Sequence, residues 1–170
     1  MPSNTKTADC FIEEIKELIE ETSKTVADPL LIDRDFVIHK RDANNHDEVP
    51  NEKPKDCVVV YGFLQNNDEF LKIGKTNRKT KFDRFRKYHY GCSKSSTLAR
   101  SICVDEFPNK ECKECTHKGS EIGKRIKSET VRIDIMIKRI DCNGDDVGHW
   151  RTALIEGILH YRYKPKYEKG

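Results

Sequence analysis

Five side chains that can take part in ionic or acid–base chemistry stand at notable positions in this sequence: Tyr61, Lys72, Arg84, Tyr88 and Glu156. A phenol and an amine can exchange a proton, and a guanidinium binds phosphate through paired hydrogen bonds. Arg84 and Tyr88 are spaced i, i+4, so they project side by side if the segment is helical. Glu156 interrupts an otherwise apolar run, and burying an acid without a partner is unfavourable. These residue types suit chemistry on a negatively charged group.

A β-hairpin is predicted to position the first two side chains. Residues 57–64 and 69–73 are rich in β-branched and aromatic residues, and residues 65–68 between them are typical of a turn. Tyr61 then lies on one strand and Lys72 on the next.

Two helices are predicted to carry the other three. Thr80 is a suitable N-cap for a helix that bears Arg84 and Tyr88. The last helix bears Glu156, and its apolar spacing predicts a buried face with a tryptophan as core anchor. That predicted face consists of Trp150, Ala153, Leu154, Gly157, Ile158 and Tyr161.

The remaining elements complete an α+β fold with a small, mainly antiparallel sheet flanked by helices. Residues 1–55 are predicted to form an N-terminal helical arm and linker, whose apolar stripe must bury against the core or a second subunit. Residues 56–170 form the main domain, with an insertion around 104–130. Within this domain, a short strand is predicted at 97–104, a short helix at 119–129, and a half-buried strand at 131–137, where apolar and polar residues alternate.

Positive charge is concentrated in one segment of the chain. The whole sequence has a net charge of +3, and 36% of its residues are charged. Residues 72–100 hold ten basic side chains and one acidic side chain, a local net charge of +9, with aromatic residues between the charges. Such a block favours contact with nucleic acid. A solvated basic face is the alternative interpretation.

The composition excludes several classes of protein. No apolar run approaches the roughly 20 residues that a membrane-spanning helix needs, and no apolar signal segment follows Met1. A cytoplasmic protein without membrane contact is therefore expected. The seven cysteines are interpreted as reduced thiols. Cys112 and Cys115, with His117 nearby, amount to half of a zinc site, and whether they bind zinc stays open.

The strand and helix segments resemble motifs of the GIY-YIG nucleases. Val60-Tyr61-Gly62-Phe63 and Leu71-Lys72-Ile73-Gly74-Lys75 resemble the paired signature of that family, with Lys72 in place of the usual second tyrosine. Arg84 and Tyr88 match the family helix, in which an arginine is followed four residues later by histidine or tyrosine.

Two later segments extend this resemblance to roughly residues 57–168. Residues 95–100 resemble a Ser-Ser-Thr-Leu-Arg stretch found after the family helix. Residues 153–168 resemble the closing motif, in which Glu156 matches the metal-binding glutamate. Glu168 stands where asparagine is usual.

The resemblance implies a Mg²⁺-dependent endonuclease that hydrolyses phosphodiester bonds of double-stranded DNA. The size is similar to small stand-alone type II restriction endonucleases, which implies a sequence-specific restriction enzyme and a homodimer. Glu156 is expected to hold one Mg²⁺ per active site, Arg84 to bind the scissile phosphate, and Tyr88 to orient the phosphate or water. Tyr61 and Lys72 are expected to activate the water. Further contacts to DNA are expected from Lys75, Arg86, Lys87, Ser95, Ser96 and Arg100.

Several alternatives stay open at this point. Free tyrosine and lysine side chains both have pKa values of about 10, so either Tyr61 or Lys72 needs neighbouring cations to act as a base. We prefer Tyr61. The same chemistry also suits a homing, mobile-element or structure-specific repair nuclease. A nucleic-acid-binding module without catalysis and a zinc-stabilised RNA-binding module are the other two alternatives.

Overall fold

The structure is a computed structural model that describes residues 7–26, 34–40, 57–65, 69–76, 88–91, 97–108, 115–140 and 144–168. Its helices are α1 (Ala8–Thr25), α2 (Leu98–Glu106), α3 (Cys115–Glu129) and α4 (Gly148–Tyr163), with a 3₁₀ turn at Tyr88–Tyr90. Its strands are β1 (Arg34–Lys40), β2 (Cys57–Gln65), β3 (Phe70–Lys75) and β4 (Thr130–Lys138). The predicted α+β class with a small antiparallel sheet is confirmed.

The four strands form one sheet in the order β1-β4-β2-β3, and each neighbouring pair is antiparallel. Strand β2 is central, with β4 on one side and β3 on the other. Tyr61 lies opposite Asp134 of β4 and opposite Gly74 of β3. This register aligns the middle of the hairpin with the middle of β4.

The predicted hairpin is confirmed, and hydrogen bonds hold both of its ends. Near the turn, the Gln65 N–H donates to the Glu69 carbonyl at 2.9 Å. At the open end, the Val59 N–H donates to Thr76 Oγ1 at 2.9 Å, and the Thr76 N–H donates to the Val59 carbonyl at 2.8 Å. These contacts fix the register of Tyr61 and Lys72.

Helices α1 and α4 cover one side of the sheet, and we call the apolar contact there the first core. Its strand residues include Val58, Val60, Ile73 and Ile135, all 2% exposed or less. From α4 the first core receives Ile155 and Leu159, and from α1 it receives Phe11, Ile12, Ile15 and Ile19. Burial of these side chains supplies much of the driving force that holds both helices on the sheet.

The opposite side of the sheet is covered by α2, α3 and the 3₁₀ turn, and we call this contact the second core. It contains Tyr61 and Phe63 of β2, together with Leu98, Ala99, Ile102 and Cys103 of α2 and Ile122 and Ile126 of α3. The predicted helix at 119–129 is confirmed and begins earlier, at Cys115. Strands β2, β3 and β4 are therefore covered on both faces.

Two sequence predictions about this second side are wrong. Residues 97–104 were predicted as a strand but form the start of α2, because Thr97 caps the helix by accepting a hydrogen bond from the Arg100 N–H. Strand β4 was predicted to be half buried, yet its polar residues Arg132 and Asp134 are 1% and 2% exposed. The helices of the second core exclude water from them.

The N-terminal helix belongs to the same core as the hairpin. The Phe11 ring meets the Phe70 ring edge-on at 5.5 Å between centroids, and the Tyr163 ring at 5.8 Å. The apolar face of α1 was predicted to bury against the core or a second subunit. In the structure it packs in the first core of the same chain.

Helix α4 is present as predicted, but its buried face differs. The buried residues are Gly148, Thr152, Ile155 and Leu159, whereas Trp150, the predicted core anchor, is 73% exposed. Thr152 can be buried because its hydroxyl donates to the Gly148 carbonyl at 2.9 Å. Among the helices of the described residues, none is long and apolar enough to cross a membrane.

Candidate active site

Tyr61 lies in the second core with its ring over the neighbouring strand. A Cβ atom added to Gly74 would come within 2.7 Å of Tyr61 Oη. Glycine is therefore needed opposite Tyr61, because any larger residue would displace the phenol. The Tyr61 ring also meets the His89 ring edge-on at 4.8 Å between centroids. These contacts give the phenol a defined position on the sheet.

A buried ion pair on β4 lies beside Tyr61 and was not foreseen as a site feature. Arg132 Nε donates to Asp134 Oδ1 at 2.8 Å, with 1% and 3% of the two side chains exposed. The Arg132 guanidinium lies 5.3 Å from the centre of the Tyr61 ring and 5.6 Å from that of Phe63. The sequence does contain a sign of this ion pair, because an arginine and an aspartate alternate with isoleucines in a strand that lies inside the sheet.

The arginine of this pair is held in its charged form. Burial by itself would lower the pKa of Arg132, but the charges of Asp134 and Tyr90, and hydrogen bonds to both, raise it above its ordinary value. The second core thus contains a permanent positive charge stacked on the Tyr61 ring.

Lys72 lies on the same face of the hairpin as Tyr61. It stands opposite Phe63, two positions from the Tyr61–Gly74 pair, so the two residues are diagonal neighbours. Its side chain is 8% exposed, and Lys72 Nζ donates to Glu168 Oε1 at 2.6 Å. The predicted adjacency of Tyr61 and Lys72 is found, and Glu168 is an unpredicted partner.

The partner of Lys72 comes from a segment that runs along the outer edge of β3. Helix α4 ends at Tyr163, and Lys164 adopts a left-handed conformation with φ of 44°. The N–H groups of Lys166 and Tyr167 then donate to the carbonyls of Phe70 and Leu71, each at 2.9 Å. Residues 164–168, the C-terminal segment, therefore bind the β3 edge and hold Glu168 at Lys72.

Glu156 lies on α4, which packs on the opposite side of the sheet from Tyr61. Its Oε2 accepts from Lys75 Nζ at 2.5 Å, and the two side chains are 22% and 29% exposed. One turn later, His160 Nε2 lies 3.2 Å from the Ile73 carbonyl oxygen. Lys75 was predicted to contact DNA; in the structure it contacts this carboxylate.

These contacts form two groups that lie on opposite faces of the sheet at the same end of β3. The phenol of Tyr61 lies over Gly74 on the second-core side. Glu156 binds the next residue, Lys75, from the first-core side. Because β3 is at the edge of the described sheet, groups from both faces can reach a ligand bound beside this end of the strand. The basic segment continues directly from here.

Several predicted site residues lie outside the described part of the chain: Arg84, Arg86, Lys87, Ser95 and Ser96. The backbone of Tyr88 begins the 3₁₀ turn, and its side chain also lies outside the described residues. Arg100 is half-buried on α2. Cys112 and the side chains of Cys115 and His117 lie outside as well.

Glu156 supplies a carboxylate at this end of β3, which is only part of the ligand set that a hard cation needs. Among the described residues, no group of three or more His, Cys, Asp or Glu side chains could hold a metal. Mg²⁺, however, is commonly bound through one or two carboxylates while it keeps several waters. Glu156 is accessible enough for that, provided that Lys75 releases its oxygen.

A separate cavity of about 300 Å³ lies between α2, α3 and the C-terminal segment. Arg125 Nη2 donates to Glu106 Oε1 on its wall at 2.5 Å, and this hydrogen bond raises the pKa of Arg125. Tyr61 and Lys72 do not line the cavity, so it is distinct from the candidate site.

No protein-family model, curated protein or solved structure matches this chain.

Proposed function

We propose that this protein is a Mg²⁺-dependent DNA endonuclease of the GIY-YIG type, acting as a sequence-specific type II restriction enzyme. The observation that carries the proposal is the placement of two groups at the same end of β3, one on each face of the sheet. Tyr61 and Lys72 are neighbours on one face of the hairpin, and Glu156 reaches Lys75 from the helix that follows β4. The basic segment at residues 72–100 begins at the same place.

In this proposal, Tyr61 is the general base that takes a proton from the attacking water. Lys72 is bound to the Glu168 carboxylate as an ammonium, which has three N–H donors and no lone pair to accept a proton. The pairing therefore supports Tyr61 over Lys72 as the base. The Arg132 guanidinium over the Tyr61 ring helps to hold the phenol in place beside β3.

The other residues act on the phosphate. Arg84 donates hydrogen bonds to the scissile group and stabilises the charge that develops there. Lys72 adds a second positive charge beside Tyr61. Glu156 would hold Mg²⁺, which supplies further stabilisation of negative charge on the phosphate oxygens when bound. Lys75, once Glu156 releases it, is free to contact the DNA backbone.

A nucleic-acid-binding module without catalysis is the second candidate. The ion pair between Glu156 Oε2 and Lys75 Nζ, 2.5 Å apart, favours this candidate, because a carboxylate in a structural ion pair needs no metal. The positive segment would then bind phosphates in a salt-dependent way.

A cleavage assay with a Glu156→Ala variant separates the two candidates. We expect the wild-type chain to cut phage-length DNA into discrete bands with Mg²⁺ and not with EDTA. Glu156→Ala should lose at least about 100-fold in cleavage rate, whereas gel shifts should show DNA binding equal to or tighter than wild type, because Lys75 loses its partner.

Glu121→Ala, which removes an exposed carboxylate on α3, is the matched control and should cut normally. Intact DNA in all reactions, with tight salt-sensitive binding, would refute the nuclease and favour the binding module. A smear in place of bands would favour a nonspecific or structure-directed nuclease.

A further inference from the structure

The outer side of α4 carries an apolar stripe that faces away from the first core. The α4 stripe consists of Trp150, Ala153, Leu154, Gly157, Ile158 and Tyr161. Its two aromatic residues are 73% and 85% exposed. They are spaced by about three helical turns, so they mark the two ends of one row. In a chain with 36% charged residues, a continuous uncharged row of this length indicates a binding surface.

Helix α4 is therefore apolar on two opposite sides. Ile155 and Leu159 on its inner side are 2% and 3% exposed and belong to the first core. Charged residues such as Arg151, Glu156 and Arg162 lie between these two sides, so α4 has two separate apolar faces. The sheet covers one of them, and the stripe is available to a second body.

Gly157 lies in the middle of the stripe. A Cβ atom built there meets no atom of the described chain within 4 Å, so nothing within the described fold requires glycine. Glycine in the middle of a helix is unfavourable relative to alanine because of its backbone freedom. Together with Ala153 one turn earlier, it leaves only small side chains at the middle of the stripe, so another helix can pack closely there.

We infer that the α4 stripe is a twofold interface that binds a second copy of this chain, with Gly157 near the axis. In an antiparallel pair centred on Gly157, a residue four positions after it faces the residue four positions before it. Tyr161 of one copy then lies over Ala153 of the other, a large side chain against a small one. A twofold contact needs such self-complementarity.

Charge and area both favour a second copy as the occupant. The stripe itself contains no charged residue, whereas a surface that binds nucleic acid would carry cations. Burial of the exposed parts of the two aromatic side chains would contribute about 300 Å² per copy. This is more than a third of the roughly 800 Å² that each partner buries in an ordinary interface. The inference does not depend on the proposed nuclease activity.

Sedimentation velocity of the full chain tests this interface. The wild type should sediment as a dimer of the 19.8 kDa chain. Tyr161→Glu and Gly157→Gln should each weaken dimerisation by at least about 30-fold, because a hot-spot change in a desolvated contact has an effect of that size. Val104→Glu, a matched change at a 54% exposed residue of α2, should leave the dimer unchanged.

Fluorescence gives a second readout on the same proteins. Trp150 is the single tryptophan, so its emission should shift to longer wavelength as the dimer is diluted, and the two stripe variants should show the shifted emission at every concentration. Circular dichroism checks that the variants remain folded.

A wild-type chain that is monomeric at all concentrations, or a dimer that both stripe variants retain, would overturn the inference. So would a monomer in which the stripe variants weaken DNA binding, because the surface would then serve nucleic acid. None of these results decides the proposed function, which the cleavage assay tests separately.

Discussion

At the residue scale, the candidate site depends on partners that no sequence motif specifies. Tyr61 and Lys72 could be predicted as hairpin neighbours because alternation and a turn determine which residues share a face. Their partners could not. Glu168 reaches Lys72 across 96 positions of sequence, and Arg132 stacks on Tyr61 only because β4 pairs with β2. Such long-range contacts follow from strand order, which local patterns do not determine.

The proposed role of Tyr61 leads to a prediction about its hydroxyl. Tyr61→Phe keeps the ring that contacts His89 and Arg132 and removes only the group that accepts the proton. Cleavage should fall by about 100- to 10,000-fold, the usual contribution of a general base, while DNA binding in an anisotropy assay stays unchanged. Tyr163→Phe, which removes a phenol on the other side of the sheet, should cut normally. Full activity of Tyr61→Phe would refute the assignment.

At the element scale, elements with one strong period were located correctly and those with two competing patterns were not. Strand β1 was missed, because it lies in a segment predicted to be part of the helical arm and linker. Helix α1, the hairpin and β4 each have a single apolar pattern and were located correctly. In α2, the run Ile102-Cys103-Val104 suggested a strand, but the Thr97 cap and the helical spacing of Leu98 and Ile102 decide for a helix.

Helix α4 had two apolar faces, and the sequence favoured the wrong one. The stripe with Trp150 is the more apolar of the two, but Glu156 and His160 make polar contacts to β3. These contacts turn the Ile155 face toward the sheet. The spacing of apolar residues does not reveal such polar contacts, so it could not predict which face of α4 is buried.

The contact between α1 and α4 predicts a pH dependence of stability. Burial, the charge of Glu14 and a hydrogen bond to it raise the pKa of Tyr163 from 10.0 to about 12, despite the opposing charge of Arg162. Folding therefore favours the neutral phenol, so this contribution is complete below about pH 10 and is lost as the pH rises toward about 12.

Alkaline denaturation measures this effect. Between these two pH values the wild type should lose about 1 kcal/mol more of its free energy of unfolding than Tyr163→Phe, a figure reduced because water screens the partly exposed side chain. Equal losses in the two proteins would show that the Glu14–Tyr163 contact does not favour the neutral phenol.

At the scale of the whole molecule, two cores share one sheet, and the N-terminal helix completes one of them. Ile15 of α1 is 1% exposed. Ile15→Ala should lower the free energy of unfolding by about 2–5 kcal/mol, with a single transition in urea. Val26→Ala, at a residue 45% exposed just after α1, should change it by less than about 0.5 kcal/mol. An unchanged midpoint for Ile15→Ala would mean that α1 folds apart from the hairpin.

The C-terminal segment has a consequence for how the chain is made. The hairpin can form as soon as residues 57–76 have left the ribosome, but the edge of β3 stays uncovered until residues 164–168 follow. At typical rates of translation, this interval of about 90 residues lasts roughly 5–20 s. During that time the free N–H and C=O groups of β3 can pair with a strand of another nascent chain. Slow decoding between the two segments should therefore increase aggregation during expression.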